Sequence, residues 1–154
     1  MLFQVNRLVI LAVVSAGIFL SLSCSDIPDC TLDAEPSTVI VEFFNKEDSV
    51  LSPLTFSAIR ALDTDSIFYQ DSTLSTYDLQ LNPNSDVSTF LFFQDSDSDT
   101  LELHYARSIQ IVSEQCGPTI GFSDISVSRH TFDSVAVIND FLNRQLTENI
   151  EIYN

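Results

Sequence analysis

The chain has no tryptophan, one methionine and three glycines among 154 residues. So little glycine leaves no Gly-rich loop to cradle a phosphate, which excludes the common nucleotide-binding motifs. Basic residues are scarce too. Six Lys and Arg stand against 22 Asp and Glu, for a formal net charge of −16. A surface of that sign repels phosphate backbones and excludes nucleic acid as a partner. It also repels anionic lipid headgroups, so membrane attachment has to come through acyl chains. His104 and His130 are not at metal-ligand spacing and lack the further His or Cys partners that zinc requires. There is no Gly-x-Ser-x-Gly elbow for a hydrolase nucleophile. No catalytic, cofactor-binding or metal-binding residues are assigned, and no cofactor is expected.

Only one long apolar run is present, Leu8 to Leu22, preceded by Arg7 and followed by Ser23 and Cys24. At about 15 residues it falls short of the roughly 20 that span a bilayer. A basic start, a short apolar stretch and small residues at its end form a secretory signal. A cysteine at the junction points to a lipoprotein signal cut before Cys24, whose thiol then carries the acyl chains (palmitate among them). Ser21 stands where a lipobox usually has Leu, and Ser21-Leu22-Ser23 also satisfies the small-x-small rule of ordinary signal peptidase. Either route leaves a chain that begins at Cys24, outside the cytoplasm. The expected organisation is a signal peptide over 1–23, a lipidated Cys24 and polar tether over 24–37, and one domain over 38–154.

Three cysteines remain to be placed: Cys24, Cys30 and Cys116. With Cys24 lipidated, the other two make an even pair in an oxidising compartment, and a Cys30–Cys116 disulfide follows. An unmodified Cys24 would leave an odd thiol.

From Thr38 the chain alternates short apolar runs with clusters of Asp, Ser, Asn and Thr, the pattern of strands and turns. Strands are expected over Thr38–Phe44, Leu54–Leu62, Ile67–Gln70 and Thr76–Leu81, the last with Tyr77, Leu79 and Leu81 on one face. Val87–Gln94 is apolar on both faces and reads as a central, buried strand. Asp95–Asp99 reads as a turn. Leu101, Leu103 and Tyr105 alternate against Glu102 and His104, and Ile109 and Ile111 continue the alternation. Further strands are expected over Thr119–Val127 and Phe132–Ile138. The tail is ambiguous: Ile138, Phe141, Leu142, Gln145 and Leu146 sit near helical spacing, while Asn149–Tyr153 looks like a closing strand. The fold class is therefore all-β, a single antiparallel β-sandwich or open barrel of roughly 7–9 strands. In the absence of Trp, Phe90, Phe92, Phe93, Phe122 and Phe132 are expected to fill the space between sheets.

Several blocks together carry a family resemblance. They are Cys24 with Cys30 close behind, Val39–Asn45 (Val-Ile-Val-Glu-Phe-Phe-Asn), Leu79-Gln-Leu-Asn-Pro83 and Leu101-Glu-Leu-His-Tyr105. Ile111-Val-Ser-Glu-Gln-Cys-Gly117, Phe132-Asp-Ser-Val135 and Asn149-Ile-Glu-Ile-Tyr153 complete the set. The Val-Ser-x-x-Cys-Gly block is the most specific of them. The chain thereby resembles a group of small uncharacterised Bacteroidota lipoproteins, domain of unknown function 6452. That resemblance implies a location and a β-architecture but no mechanism.

Two local constellations invite chemistry. Asp95, Asp97 and Asp99 match positions 1, 3 and 5 of an EF-hand loop, but Thr100 replaces the Gly and Ala106 the bidentate Glu. A solvated hairpin turn is the plainer account. Cys116 and His130 can be drawn as a Cys–His pair, against which the disulfide stands. His104 is expected on an outward strand face and His130 in a turn after Arg129. The leading expectation is a non-catalytic lipoprotein of the bacterial cell envelope. It would be held in the lipid bilayer by acylated Cys24, in the outer membrane, facing the periplasm or the surface, and would bind or support another envelope protein or a glycan. The alternatives are a hydrolase with an unrecognised Ser- or Cys-His site and a calcium-dependent adhesion module.

Overall fold

The computed structural model describes Cys30 and residues 37–142 and 147–154. The expected signal peptide, Cys24, most of the expected tether, and Gln145 and Leu146 of the ambiguous tail lie outside the described residues. Nine strands are described: β1 (Thr38–Phe44), β2 (Leu54–Ala61), β3 (Ile67–Leu74), β4 (Thr76–Gln80), β5 (Val87–Gln94), β6 (Asp97–Ser113), β7 (Gly117–His130), β8 (Ser134–Val137) and β9 (Ile150–Tyr153). They form a four-stranded sheet, β4-β1-β9-β8, and a five-stranded sheet, β3-β2-β5-β6-β7, which do not close into a barrel. The architecture is a β-sandwich. One pairing departs from the antiparallel rule: β9 runs parallel to β1, Val41 opposite Ile150 and Phe44 opposite Tyr153. The closing strand returns to the middle of the first sheet instead of extending its edge.

Alternation decides what is buried. Val39, Val41 and Phe43 of β1 are fully buried, as are Tyr77, Leu79 and Leu81, and Ile150 and Ile152 of β9 meet them from the same sheet. From the other sheet come Phe56, Ile59, Phe90, Phe92, Leu101 and Leu103. β5 does occupy the centre of its sheet, and Phe90, Phe92, Phe122 and Phe132 do lie in the core. Phe93 does not. It alternates to the outer face of β5, where the Arg60 guanidinium lies over its ring, 5.6 Å from the centroid. Strand geometry forces this, because Phe92 and Phe93 cannot share a face.

Other expectations shift at element ends. β3 continues to Leu74, and Leu62 falls just beyond β2 and is exposed. His130 is the last residue of β7, paired with Leu101, and does not lie in a turn. The turn before β6 is only Asp95 and Ser96, since Asp97 pairs with Gln94 and Asp99 with Phe92.

Four aspartates, Asp65, Asp71, Asp95 and Asp124, adopt positive φ near 50°. In a chain so short of glycine, they supply the left-handed conformation at bends, because a short polar side chain tolerates it better than most. Asp124 sits where β7 gains a residue over β6, between the pairs His104–Ser126 and Ala106–Ser123. That bulge lets the long hairpin bend relative to the sheet.

Candidate binding face

β6 is 17 residues long and β7 14, yet β5 accompanies β6 only from Asp97 to His104. Beyond that point β6 pairs with β7 alone, from Ala106 with Ser123 to Ser113 with Gly117. The two strands leave the sheet as a β-hairpin arm. At its base Arg107 donates to the Asp86 carboxylate at 2.5 Å and to the Pro83 carbonyl at 2.8 Å, tying the arm to the loop before β5. Ile109 lies opposite Ile120, and Ile111 opposite Pro118. On the opposite face the Gln110 side chain lies over Gly121, where any Cβ would displace it.

Leu101, Leu103 and Tyr105 are buried as their alternation requires, but Ile109 is 80% and Ile111 78% exposed. The same period that fills the core therefore runs past the end of the opposing sheet and places two isoleucines in solvent. The pattern shows which face a residue occupies, but not whether another layer lies above it.

The tip is closed covalently. Cys30 and Cys116 form a disulfide with Cα atoms 5.3 Å apart, linking positions 86 residues apart. The pairing expected from the cysteine count is thus present, and it falls at the turn of the arm. The Cys116 backbone N–H donates to the Ser113 hydroxyl at 3.0 Å, fixing the turn. Between Ser108 and Gly121 there is one charged residue, Glu114.

The groups considered for catalysis are arranged otherwise. Cys116 is in the bridge, and His130 lies at the far end of β7, where its Nδ1 faces the Phe132 carbonyl at 3.0 Å. Thirteen strand positions separate Cys116 from His130, roughly 40 Å of extended chain. His104 is exposed, as expected of an outward strand face, and its Nε2 approaches the Glu102 carboxylate at 3.7 Å. Ser128 donates to the same carboxylate at 2.6 Å, and Arg129 at 3.3 Å. The Ser128 hydroxyl first, then the Arg129 and His104 charges, hold the Glu102 carboxyl below its usual range. A hydrolytic triad needs the histidine between the hydroxyl and the acid. Here both converge on the acid, and the serine has no base.

Asp95 and Asp97 are exposed, and the Asp99 carboxylate accepts from the Thr131 hydroxyl at 2.7 Å. Among the described residues, no three His, Cys, Asp or Glu side chains are grouped to hold a metal ion. Nor is any described helix long and apolar enough to cross a membrane.

The sequence profile of a family of unknown function, DUF6452, matches residues 54–154. The chain belongs to that family. No curated protein and no solved structure matches it.

Proposed function

We propose that this protein is a lipid-anchored, non-catalytic component of a bacterial cell envelope that binds or supports another envelope constituent. The observation that carries the reading is the Cys30–Cys116 disulfide. It accounts for two of three cysteines and leaves Cys24, directly after the apolar run, as the thiol for acylation. A disulfide belongs in an oxidising compartment, which agrees with an exported chain. The convergence of Ser128 and His104 on one carboxylate supports a binding role over hydrolysis.

The test is mass spectrometry of the amino-terminal peptide after expression with the natural signal in a lipoprotein-processing bacterium. The expected product begins at Cys24 and carries acyl chains, and Cys24→Ser abolishes the acylation. A mature chain with an unmodified Cys24 would refute the anchor. Partners are then sought by co-purification from detergent-solubilised envelopes.

A further inference from the structure

We propose that the tip of the β6–β7 arm rests on the lipid surface that holds Cys24, with Ile109 and Ile111 entering the interface. This inference rests on the acylation of Cys24 proposed above.

The first support is chain length. Cys30 lies six positions after Cys24, a reach of at most about 20 Å when fully extended. The disulfide joins Cys30 to the arm tip. Without it, the chain from Cys24 to the domain would be the thirteen residues to Ser37, a reach of about 45 Å. The bridge therefore converts a long tether to the body of the sandwich into a short tether to one end of one hairpin. Ile111 lies two positions from Ser113, where β6 ends, within roughly 10 Å of the turn that carries Cys116. Any surface that holds Cys24 is brought within reach of these isoleucines.

The second support is charge. The chain holds 22 acidic residues, and only Glu114 falls between Ser108 and Gly121. Anionic headgroups repel the body of the molecule but find little charge to repel on the arm. The third is hydrophobicity. Ile109 and Ile111 share an alternation, lie opposite Ile120 and Pro118, and are the most exposed large apolar residues among those described. Two isoleucines at a tip bind lipid weakly alone, but a covalent anchor a few residues away raises their effective concentration at the surface.

The absence of tryptophan makes a direct test possible. Ile111→Trp and, separately, Gln115→Trp place a single fluorophore on the arm; Leu62→Trp places one on the exposed turn after β2. The acylated full-length variants are reconstituted into phosphatidylethanolamine–phosphatidylglycerol vesicles with or without brominated phosphatidylcholine. Flotation reports anchoring, and bromine quenching reports contact with the acyl region. The expected result is roughly twofold quenching of the arm tryptophans with little for Leu62→Trp, the depth at which interfacial apolar side chains sit. Reduction of the disulfide should diminish it while the protein still floats. Protein that floats without quenching at either arm position overturns this proposal and leaves the anchor standing. Protein that is not acylated and does not float overturns both. An arm tryptophan already shielded before vesicles are added, in a dimer that Ile111→Asp dissociates, assigns the face to a second copy and also overturns the proposal.

Discussion

Phe43 is the ring around which the two sheets meet. It contacts Phe56, Tyr77, Phe92 and Phe132 at centroid distances of 5.3 to 5.9 Å, tilted or edge-on, as aromatic quadrupoles prefer. Its neighbour Tyr77 adds a polar function inside the core. The buried Tyr77 hydroxyl accepts from the Leu74 N–H at 3.0 Å and faces the Leu54 and Ser72 carbonyls at 2.8 and 3.1 Å. Burial pushes this phenol above its ordinary pKa, so it stays a neutral donor. It thus clamps the start of β2 to the end of β3. Tyr77→Phe keeps the ring but strands the Leu74 N–H and weakens the carbonyl pairing, which should cost about 1–3 kcal/mol. Urea unfolding monitored by far-UV circular dichroism measures this, and an unchanged midpoint would show that water replaces the hydroxyl. The inward ring of Tyr77 was legible from the alternation Tyr77, Leu79, Leu81. The partners of its hydroxyl were not, because they are carbonyls that only the folded β2–β3 hairpin brings near. Asn149 repeats the lesson. It reads as the polar first residue of the closing strand, yet it lies just before β9 and is buried, accepting from the Ile40 N–H and donating to the Asn139 and Phe141 carbonyls. No local pattern announces a side chain that joins three segments.

At the scale of elements, strand faces were legible and strand extents less so. Val87–Gln94 appears in the sequence as a run apolar on both sides and appears in the structure as the middle strand. Its partner β6 alternates through Leu101, Leu103 and Tyr105 and, past Arg107, resumes with Ile109 and Ile111, but the buried part ends at Tyr105. What changes there is the cover from the opposing sheet, a property of other segments that the β6 sequence does not contain. The β5–β6 connection shows the same limit in reverse. Five residues that read as one acidic turn are a two-residue turn followed by a paired strand. Asp95 takes the positive φ that such a short hairpin turn requires, here 53°. Asp97 and Asp99 stand two apart on one strand face, and Asp99 is engaged by Thr131. This arrangement gathers charge without a closed set of ligands, and the loop lacks the Gly and bidentate Glu of a selective site. Calorimetry should find calcium and magnesium binding nearly alike, at about millimolar strength or weaker, through screening of exposed carboxylates. A micromolar calcium affinity lost in Asp95→Asn with Asp97→Asn would contradict this and support the adhesion alternative.

Over the whole molecule, the large negative charge opposes compaction, and like charges meet even across strand pairs. Burial first, then the nearby Glu148 and Glu151, raise the Glu42 carboxyl above its usual range. Against this self-repulsion stand one packed interlayer core and one covalent bridge. The bridge lies outside the core: Cys30 precedes the first strand, and Cys116 sits at the tip of an arm that leaves the sheet. Its contribution to stability therefore comes mainly from restricting the unfolded chain. For a loop of 86 residues the chain-entropy model gives about 4–5 kcal/mol. An expanded, highly charged unfolded chain is the state on which such a restraint acts most fully. Replacing both cysteines by serine should preserve the far-UV spectrum of the sandwich, because no core side chain is altered. It should also lower the unfolding free energy by up to about 4–5 kcal/mol, seen as a lower urea midpoint. A loss of the β-signature without denaturant would mean that the bridge is needed for folding itself. A midpoint shift equivalent to under about 1 kcal/mol would mean that the denatured chain is compact enough to leave little entropy to remove. In that case the bridge's main effect would be geometric: fixing which end of the sandwich lies beside the chain that leads to Cys24.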